Sequence, residues 1–308
     1  MKQYEFNYSK DFSCIAGNCK HNCCIGWQID IDKKTFSSYQ ALKEKDARFN
    51  ENSFSGNSFK LNSQFRCPFL DGDNLCHIIK NHGEKALCKT CKTHPRFKNF
   101  FTGLTETGLG LYCEEACKII LVSKQKMKLS LIKDDKKPSV LSPFEKKVIA
   151  FRKKVISILQ NRKISFLERL DALKGLSDIN LSKKSFSTWR ETFCNLERLK
   201  INDFAFNNIP QTECFAQIER GFELEYEQLL CYLSFRHLSR AIDSLDLKVR
   251  LAFILLCFYM INHIFSLSEK KDLATLVEVC RFFSSEIETN DDNIFALLND
   301  IENLISFI

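Results

Sequence analysis

Hydrophobic residues recur at helical spacing through the second half of the chain. Beyond residue 138, Val148, Ile149, Val155, Ile156 and Leu159 form one stripe, and Leu170 and Leu173 belong to another. Each stripe carries a start signal. Ser142-Pro143-Phe144-Glu145 and Ser165-Phe166-Leu167-Glu168 place serine three residues before glutamate, the pattern of a capping box, and Gly175 stops the second stripe. Residues 188–199, 213–242 (one long helix or two shorter ones), 271–287 and 293–307 continue the helical pattern. Residues 247–265 are apolar almost all round, which predicts the central helix of a bundle. The most apolar run, 251–260, is too short to cross a bilayer.

The first half follows a shorter period. Residues 4–8 read as a strand, and Trp27, Ile29 and Ile31 alternate with polar residues as strands do. A short helix is expected at 35–42, and a loop with short strands at 46–65. Asp71-Gly72 marks a turn between two apolar pieces, so 66–78 reads as a hairpin that brings Cys67 and Cys76 together. A short helix at 82–87, a loop at 89–96 and a helix at 114–122 complete this half. The predicted fold is mainly α: a cysteine-rich amino-terminal module with short β-strands (1–122), a basic linker (123–141) and a carboxy-terminal helical bundle (142–308).

Composition narrows this picture. Ten Gly and five Pro in 308 residues argue against a turn-rich all-β fold. The net charge of +7 is concentrated. Residues 118–163 hold fourteen Lys or Arg against Asp134, Asp135 and Glu145, a local excess of eleven. That excess reads as a solvated face or as a steering surface for an acidic partner. No aromatic residue interleaves 124–137, so a stacking platform for single-stranded nucleic acid is not indicated, and no nucleic-acid partner is expected. No secretory signal is visible at the amino terminus. A cytoplasmic monomer without a membrane partner is the expectation.

The cysteines change the picture most. Ten of fifteen lie between Cys14 and Cys117, with His21, His77, His82 and His94 among them. Where thiols stay reduced, a disulfide framework is disfavoured and metal is favoured. Cysteines at short spacing bind zinc or an iron–sulfur cluster. The loop of Cys14, Cys19 and Cys23 is wide for one tetrahedral ion. Adjacent Cys23 and Cys24 point to different sides in extended backbone. His21 and His77 are further candidate ligands by proximity. Cys194, Cys214, Cys231, Cys257 and Cys280 sit singly on helical patterns and read as core residues.

Phe12-Ser13-Cys14, Cys19, Cys23-Cys24 and Gly26-Trp27 resemble the signature of zinc- or iron-chelating cysteine-cluster domains. Cys67-Pro68-Phe69-Leu70, Leu75-Cys76-His77-Ile78, Thr90-Cys91-Lys92-Thr93-His94-Pro95-Arg96 and Leu109-Gly110-Leu111-Tyr112-Cys113-Glu114-Glu115-Ala116 follow in the order seen in flagellin lysine-N-methylases. The resemblance covers residues 10–122. It implies methyl transfer from S-adenosylmethionine to lysines of flagellin, with a 4Fe–4S cluster as cofactor and zinc as the alternative. It implies metal ligands among Cys14, Cys19, Cys23, Cys24, Cys67, Cys76, Cys91 and Cys113. Two departures stand out: His94 replaces the family's tyrosine before Pro-Arg, and Tyr112-Cys113-Glu114-Glu115 replaces Ser-Cys-Pro-Glu.

For that chemistry, Arg96 is a candidate clamp for the carboxylate of S-adenosylmethionine, and Glu114 and Glu115 are candidate proton acceptors. Trp27 is a candidate for cofactor contact, with Phe97, Phe100, Phe101 and Tyr112 as further aromatic residues near the cysteines. No Gly-x-Gly-x-x-Gly after a strand indicates a Rossmann methyltransferase. A non-enzymatic metal-binding module is the competing function class.

Overall fold

The computed structural model describes residues 1–136, 140–199, 206–210 and 212–305. The chain opens in strand β1 (Lys2–Phe6), two residues earlier than the alternation places it. Helix α1 (Lys33–Leu42) follows, capped by Asp32, whose carboxylate accepts the Thr35 amide. The two-residue strands β2 (Phe54–Ser55) and β3 (Ser58–Phe59) pair across Gly56-Asn57.

The expected hairpin at 66–78 is reduced to one bridge, Leu70 to Cys76, after which α2 (His77–His82) begins. The Asp71 turn is real, because its carboxylate accepts the amides of Asp73 and Leu75. The segment expected as a loop at 89–96 holds α3 (Lys89–Thr93) and the start of a strand. That strand, β4 (Arg96–Phe101), turns back through Gly103 (φ 78°) into β5 (Leu104–Leu109).

Next come α4 (Glu114–Val122) and β6 (Leu129–Asp134), so the basic linker contains a strand. The sheet order is β4-β5-β1-β6. β1 runs parallel to β5 and antiparallel to β6, while β4 and β5 are antiparallel. β6 is an edge strand with most of its residues exposed, and Lys133 and Asp134 on it discourage further pairing.

The helical half comprises α5 (Pro143–Leu159), α6 (Phe166–Ser177), α7 (Phe186–Cys194), α8 (Glu223–His237), α9 (Ser244–Leu267), α10 (Leu273–Ile287) and α11 (Asp291–Asn303). Both capping boxes form at Ser142 and Ser165. The pattern at 213–242 yields α8 alone, and residue 307, the expected end of the last helix, lies outside the described residues. Helix α9 is longer than its most apolar run. Its 24 residues are apolar and long enough to cross a membrane by length and composition, yet 89% of its most apolar window is buried inside the protein.

Two cores result. The smaller gathers Ile29, Ile31, Tyr39, Phe49, Phe59, Phe69, Ile78 and Leu87 with Cys67 and Cys88. The larger joins the sheet and α4 to all the helices of the second half, with Phe6 meeting Phe235 at 4.5 Å and Phe97 meeting Tyr232 at 6.0 Å. Gly108 permits this approach, since a Cβ there would sit 2.5 Å from the Phe97 ring. Of the five cysteines read as core residues, Cys231, Cys257 and Cys280 are buried, Cys194 is half-buried and Cys214 is exposed.

One buried ion pair ties the sheet to the helices. Arg152 on α5 donates to both oxygens of Glu106 on β5, at 2.5 and 2.7 Å, and each residue is 3% exposed. Asn99 on β4 donates to the Phe235 carbonyl at 2.9 Å beside them. Glu106→Gln leaves the guanidinium buried without its counter-charge and is expected to cost about 3–5 kcal/mol. The shift of the guanidinium unfolding midpoint measures it, and Arg152→Met added to Glu106→Gln should restore much of the loss.

Candidate functional site

Cys14, Cys19, Cys23 and Cys24 lie on a loop built from short 3-10 turns, and little of it is buried. Polar contacts fix its path. The Asn22 side chain accepts the Cys24 amide at 2.9 Å and donates to the Asn74 carbonyl at 3.3 Å. The Cys67 amide donates to the Cys24 carbonyl at 2.8 Å. The Trp27 indole donates to the Cys23 carbonyl at 2.7 Å. On the other flank, Glu114 Oε2 accepts the amides of Lys20 and His21 at 2.9 and 3.3 Å. The His21 ring meets Glu278 of α10 at 3.0 Å.

Three other cysteines stand at helix starts. Cys76 is the N-cap of α2, Cys88 of α3 and Cys113 of α4. The first amides of a helix have no partner within it, and here they lie near these sulfurs without a capping hydrogen bond to them. Amides of Ile78 and Ile79, of Thr90 and Cys91, and of Glu115 and Ala116 accordingly pull the three thiol pKa values down. Burial opposes this and wins at Cys76 and Cys113, whose pKa values are raised. At Cys88 a hydrogen bond from the Cys91 thiol dominates, and its pKa falls to about 7. Burial and then the Glu114 carboxylate push Cys19 up to about 12, and burial pushes Cys67 to about 12.

These segments enclose a cavity of about 470 Å³. Cys14, Cys19, Cys23, Cys24, Cys76, Cys91 and Cys113 line it, which is seven of the eight expected ligands. The eighth, Cys67, is buried and lies within electrostatic reach of Cys23, Cys76 and Cys88. Trp27, Arg96 and Glu115 are on the same wall. Arg96 also lies over the Phe12 ring at 5.3 Å. Glu114 is not on that wall; its carboxylate is occupied by the loop.

A second cavity, of about 210 Å³, shares Cys23, Trp27 and His94 with the first and reaches Tyr112, Lys20 and Arg281. The His94 ring stands between Trp27 and Tyr112, at 5.8 and 5.5 Å.

The aromatic residues suggested by sequence separate. Trp27 and Tyr112 stay at the site. Phe97 and Phe101 turn into the larger core, and Phe100, on the opposite face of β4, is 74% exposed. The sequence reading left two contributors out of the site. Buried Cys88 accepts a hydrogen bond from the Cys91 thiol, and its Cys-x-x-Cys spacing was the available signal. His94 faces Cys23, where the Cys24 thiol and burial outweigh it and leave the Cys23 pKa raised, and its departure from the resembled pattern was the signal there. Cys117 is buried, with its thiol donating to the Val277 carbonyl, away from the cavity.

Over 129 residues the chain is 35% identical to the lysine-N-methylases of Salmonella typhimurium and Salmonella choleraesuis. Those matches cover 39% of this chain and 32% of each relative, so the chain spans about a third of the length of the lysine-N-methylases it matches. Over 140 residues it is 34% identical to the flagellar biosynthetic protein FliU of Salmonella muenchen, covering 42% of this chain and 83% of that protein. No family model matches the chain, and no solved structure matches it.

Two outcomes test the clamps on the loop. Glu114→Ala removes the acceptor for two backbone amides and should release residues 14–24, at a local cost of about 1–3 kcal/mol. Faster amide hydrogen exchange confined to that loop is the expected readout. Glu278 supplies a pH dependence. Burial raises its pKa, but hydrogen bonds from His21 and Arg281 outweigh burial and hold it at about 2, below its ordinary 4.5. A depressed carboxylate pKa gives stability that is present above the unfolded value and lost as pH falls through the folded one. The difference in melting temperature between wild type and Glu278→Gln should be full at pH 6 and close between about pH 4.5 and 2.

Proposed function

The chain belongs to the flagellin lysine-N-methylase family, and on that premise we propose that it is a protein-lysine N-methyltransferase. We read S-adenosylmethionine as the methyl donor, flagellin as the substrate and an iron–sulfur cluster as the cofactor held by the amino-terminal cysteines. The observation that carries this reading is the shared cavity, where seven matched cysteines meet Trp27, Arg96 and Glu115.

The donor set fits a cluster. The eight ligands implied by the resemblance are all thiols, the ligand type that iron–sulfur centres use. Their sulfurs are also widely spread. Among the described residues, the only trio of ligand atoms all within 4.8 Å of one another is Asp46, His77 and His82, and no cysteine trio is that close. A tetrahedral zinc ion with bonds near 2.3 Å holds its sulfurs about 3.8 Å apart. The wider array favours a cluster over one zinc ion. Bound there, the centre supplies a cross-link between segments that share little apolar contact.

The transfer asks three things of the chain. The lysine nitrogen must lose its proton, because free lysine has a pKa near 10.4. Its lone pair then attacks the sulfonium methyl, forming the N–C bond as the S–C bond breaks, and a base accepts the proton. Glu115 is the base in this reading, since Glu114 is committed to the loop amides. Arg96 binds the donor's carboxylate as a fork. Trp27 offers the sulfonium a ring face, and the smaller cavity beyond Trp27 and His94 takes the lysine chain. Lys20 and Arg281 on its wall disfavour a charged amine there.

The test is protein purified without oxygen and incubated with S-adenosylmethionine and flagellin. Mass increments of methyl groups on flagellin lysines are expected, with iron and sulfide in the purified protein. Trp27→Leu should slow transfer about fivefold, from the loss of about 1 kcal/mol of cation–π contact. Cys14→Ser, Cys19→Ser and Cys67→Ser should lose iron, and Cys257→Ser should keep it. Iron retained without any methyl transfer would favour the metal-binding module instead. A colourless protein that keeps one zinc through all these changes would sink the cluster reading.

A further inference from the structure

Asp46, His77 and His82 come together, and none of the three lines the cysteine cavity. Asp46 lies just beyond α1, and the two histidines open and close α2. His77 Nε2 is 2.7 Å and His82 Nε2 is 2.8 Å from the same carboxylate oxygen, Asp46 Oδ2. The three ligand atoms lie within 4.8 Å of one another. The side chains are 14–21% exposed, so the group is largely covered but open on one side.

Each residue is braced from behind. The other Asp46 oxygen accepts the Arg48 amide at 3.0 Å. The Asn81 amide group contacts His77 Nδ1 at 2.9 Å and the His77 carbonyl at 3.0 Å. The Phe49 ring packs edge-on against His82 at 5.4 Å, and Phe69 lies 6.4 Å from His77. One ring contacted at Nδ1 and the other held by packing, with both Nε2 atoms turned to one oxygen, resemble the way metal-ligating histidines are oriented.

We infer that Asp46, His77 and His82 form a binding site for a mononuclear divalent metal of zinc type, separate from the cysteine array. Two imidazoles and one carboxylate are the donor types zinc accepts, and three protein ligands leave the fourth position open to water or another oxygen ligand. The fit is close. Bonds near 2.0 Å at tetrahedral angles place donor atoms about 3.3 Å apart. The pairs stand at 2.7 and 2.8 Å, so each must open by about half an ångström, within the reach of side-chain rotation. In the metal-bound form His77 Nδ1 carries the proton and donates to the Asn81 side-chain oxygen, which an amide flip presents. The two sites suit different ions because their donors differ: seven thiols dominate the lining of one, and nitrogen and oxygen alone make the other.

The inference does not rest on the methylase reading, and its test reads metal only. The full chain, purified anaerobically, is titrated with zinc chloride and freed of excess; zinc, iron and sulfide are then counted per chain. One zinc beyond the iron content is expected in the wild type. It should be lost in His82→Gln, which keeps a polar contact to Asp46, and in His77→Ala, with iron unchanged in both. Asn81→Ala should weaken zinc about tenfold. Cobalt(II) in place of zinc should give visible d–d bands without the intense near-ultraviolet thiolate band. Zinc should raise the melting temperature of the wild type and leave that of His82→Gln unmoved, with both folded by circular dichroism. Wild type that retains no zinc, variants that retain as much as wild type, or a cobalt spectrum dominated by thiolate charge transfer would overturn the site and leave a hydrogen-bonded Asp–His pair of structural use.

Discussion

The loop that carries Cys14, Cys19, Cys23 and Cys24 cannot hold itself, and the candidate site depends on how that is solved. Its residues belong to neither core except at the edges, where Phe12 touches the larger one and Cys24 the smaller. A segment with so little apolar burial does not recover its ordering entropy from packing. Polar contacts from separate parts of the chain do the holding: Glu114 and Glu278 from the helical side, the Asn74 carbonyl and Cys67 amide from the small module. The cavity is the seam where these parts meet. A metal centre bound there, on the proposed reading, strengthens a junction that the chain has already positioned.

Rigidity behind the seam comes from α8. This helix is buried on nearly every side although it carries Glu227, Gln228, Arg236 and His237. A helix buried all round is normally apolar, so each of these groups needs a partner. Glu227, fully buried, receives Arg162 from beyond α5 and Arg169 from α6. Gln228 donates to the carbonyls of Ser123 and Gln125, just past α4. His237 reaches Glu288 at 3.2 Å, and Tyr232 donates to the same Glu288 oxygen at 2.9 Å. Tyr232 also accepts the Leu111 amide, two residues before Cys113. The cysteine that starts α4 and the acidic pair after it are therefore placed by a polar network in the core. Pairs of this kind add little net stability and restrict which arrangement is allowed.

Helix starts and the central helix were legible because their signals are local. Ser142, Ser165 and the apolar run of α9 state their roles within a few residues. The sheet was hidden for a physical reason. Glu106 on β5 and Asn99 on β4, opposite each other in register, are buried on the inward face because Arg152, Phe235 and Ser239 supply partners from distant segments. Outward Phe100 then looks like a core residue. Such strands break the apolar–polar alternation by which strands are recognised. The cysteine site was legible by residue type, and its aromatic wall was not, since Phe97 and Phe101 sit an odd number of residues from exposed Phe100 and so on the other face of β4. Asp46 and His82 carry no joint signal in sequence, being 36 residues apart and joined only by the fold.

The use of cysteine at three helix starts follows from the same economy of partners. Serine or aspartate is the usual N-cap because its oxygen accepts the free amides of the first turn. Cys76, Cys88 and Cys113 stand in that place with a weaker acceptor. As thiols they satisfy those amides poorly. As thiolates they satisfy them well, because negative charge is favoured where unpaired amides converge. On the proposed reading, a metal that takes up the sulfurs in their ionised form improves these caps and offsets the burial that holds the Cys76 and Cys113 thiols protonated. Two of these helices, α2 and α3, have only six and five residues, and Cys76 at the start of one and Cys91 within the other line the same cavity. On that same reading, helix formation and metal binding here are coupled through the same atoms, and the metal adds to what holds elements this short.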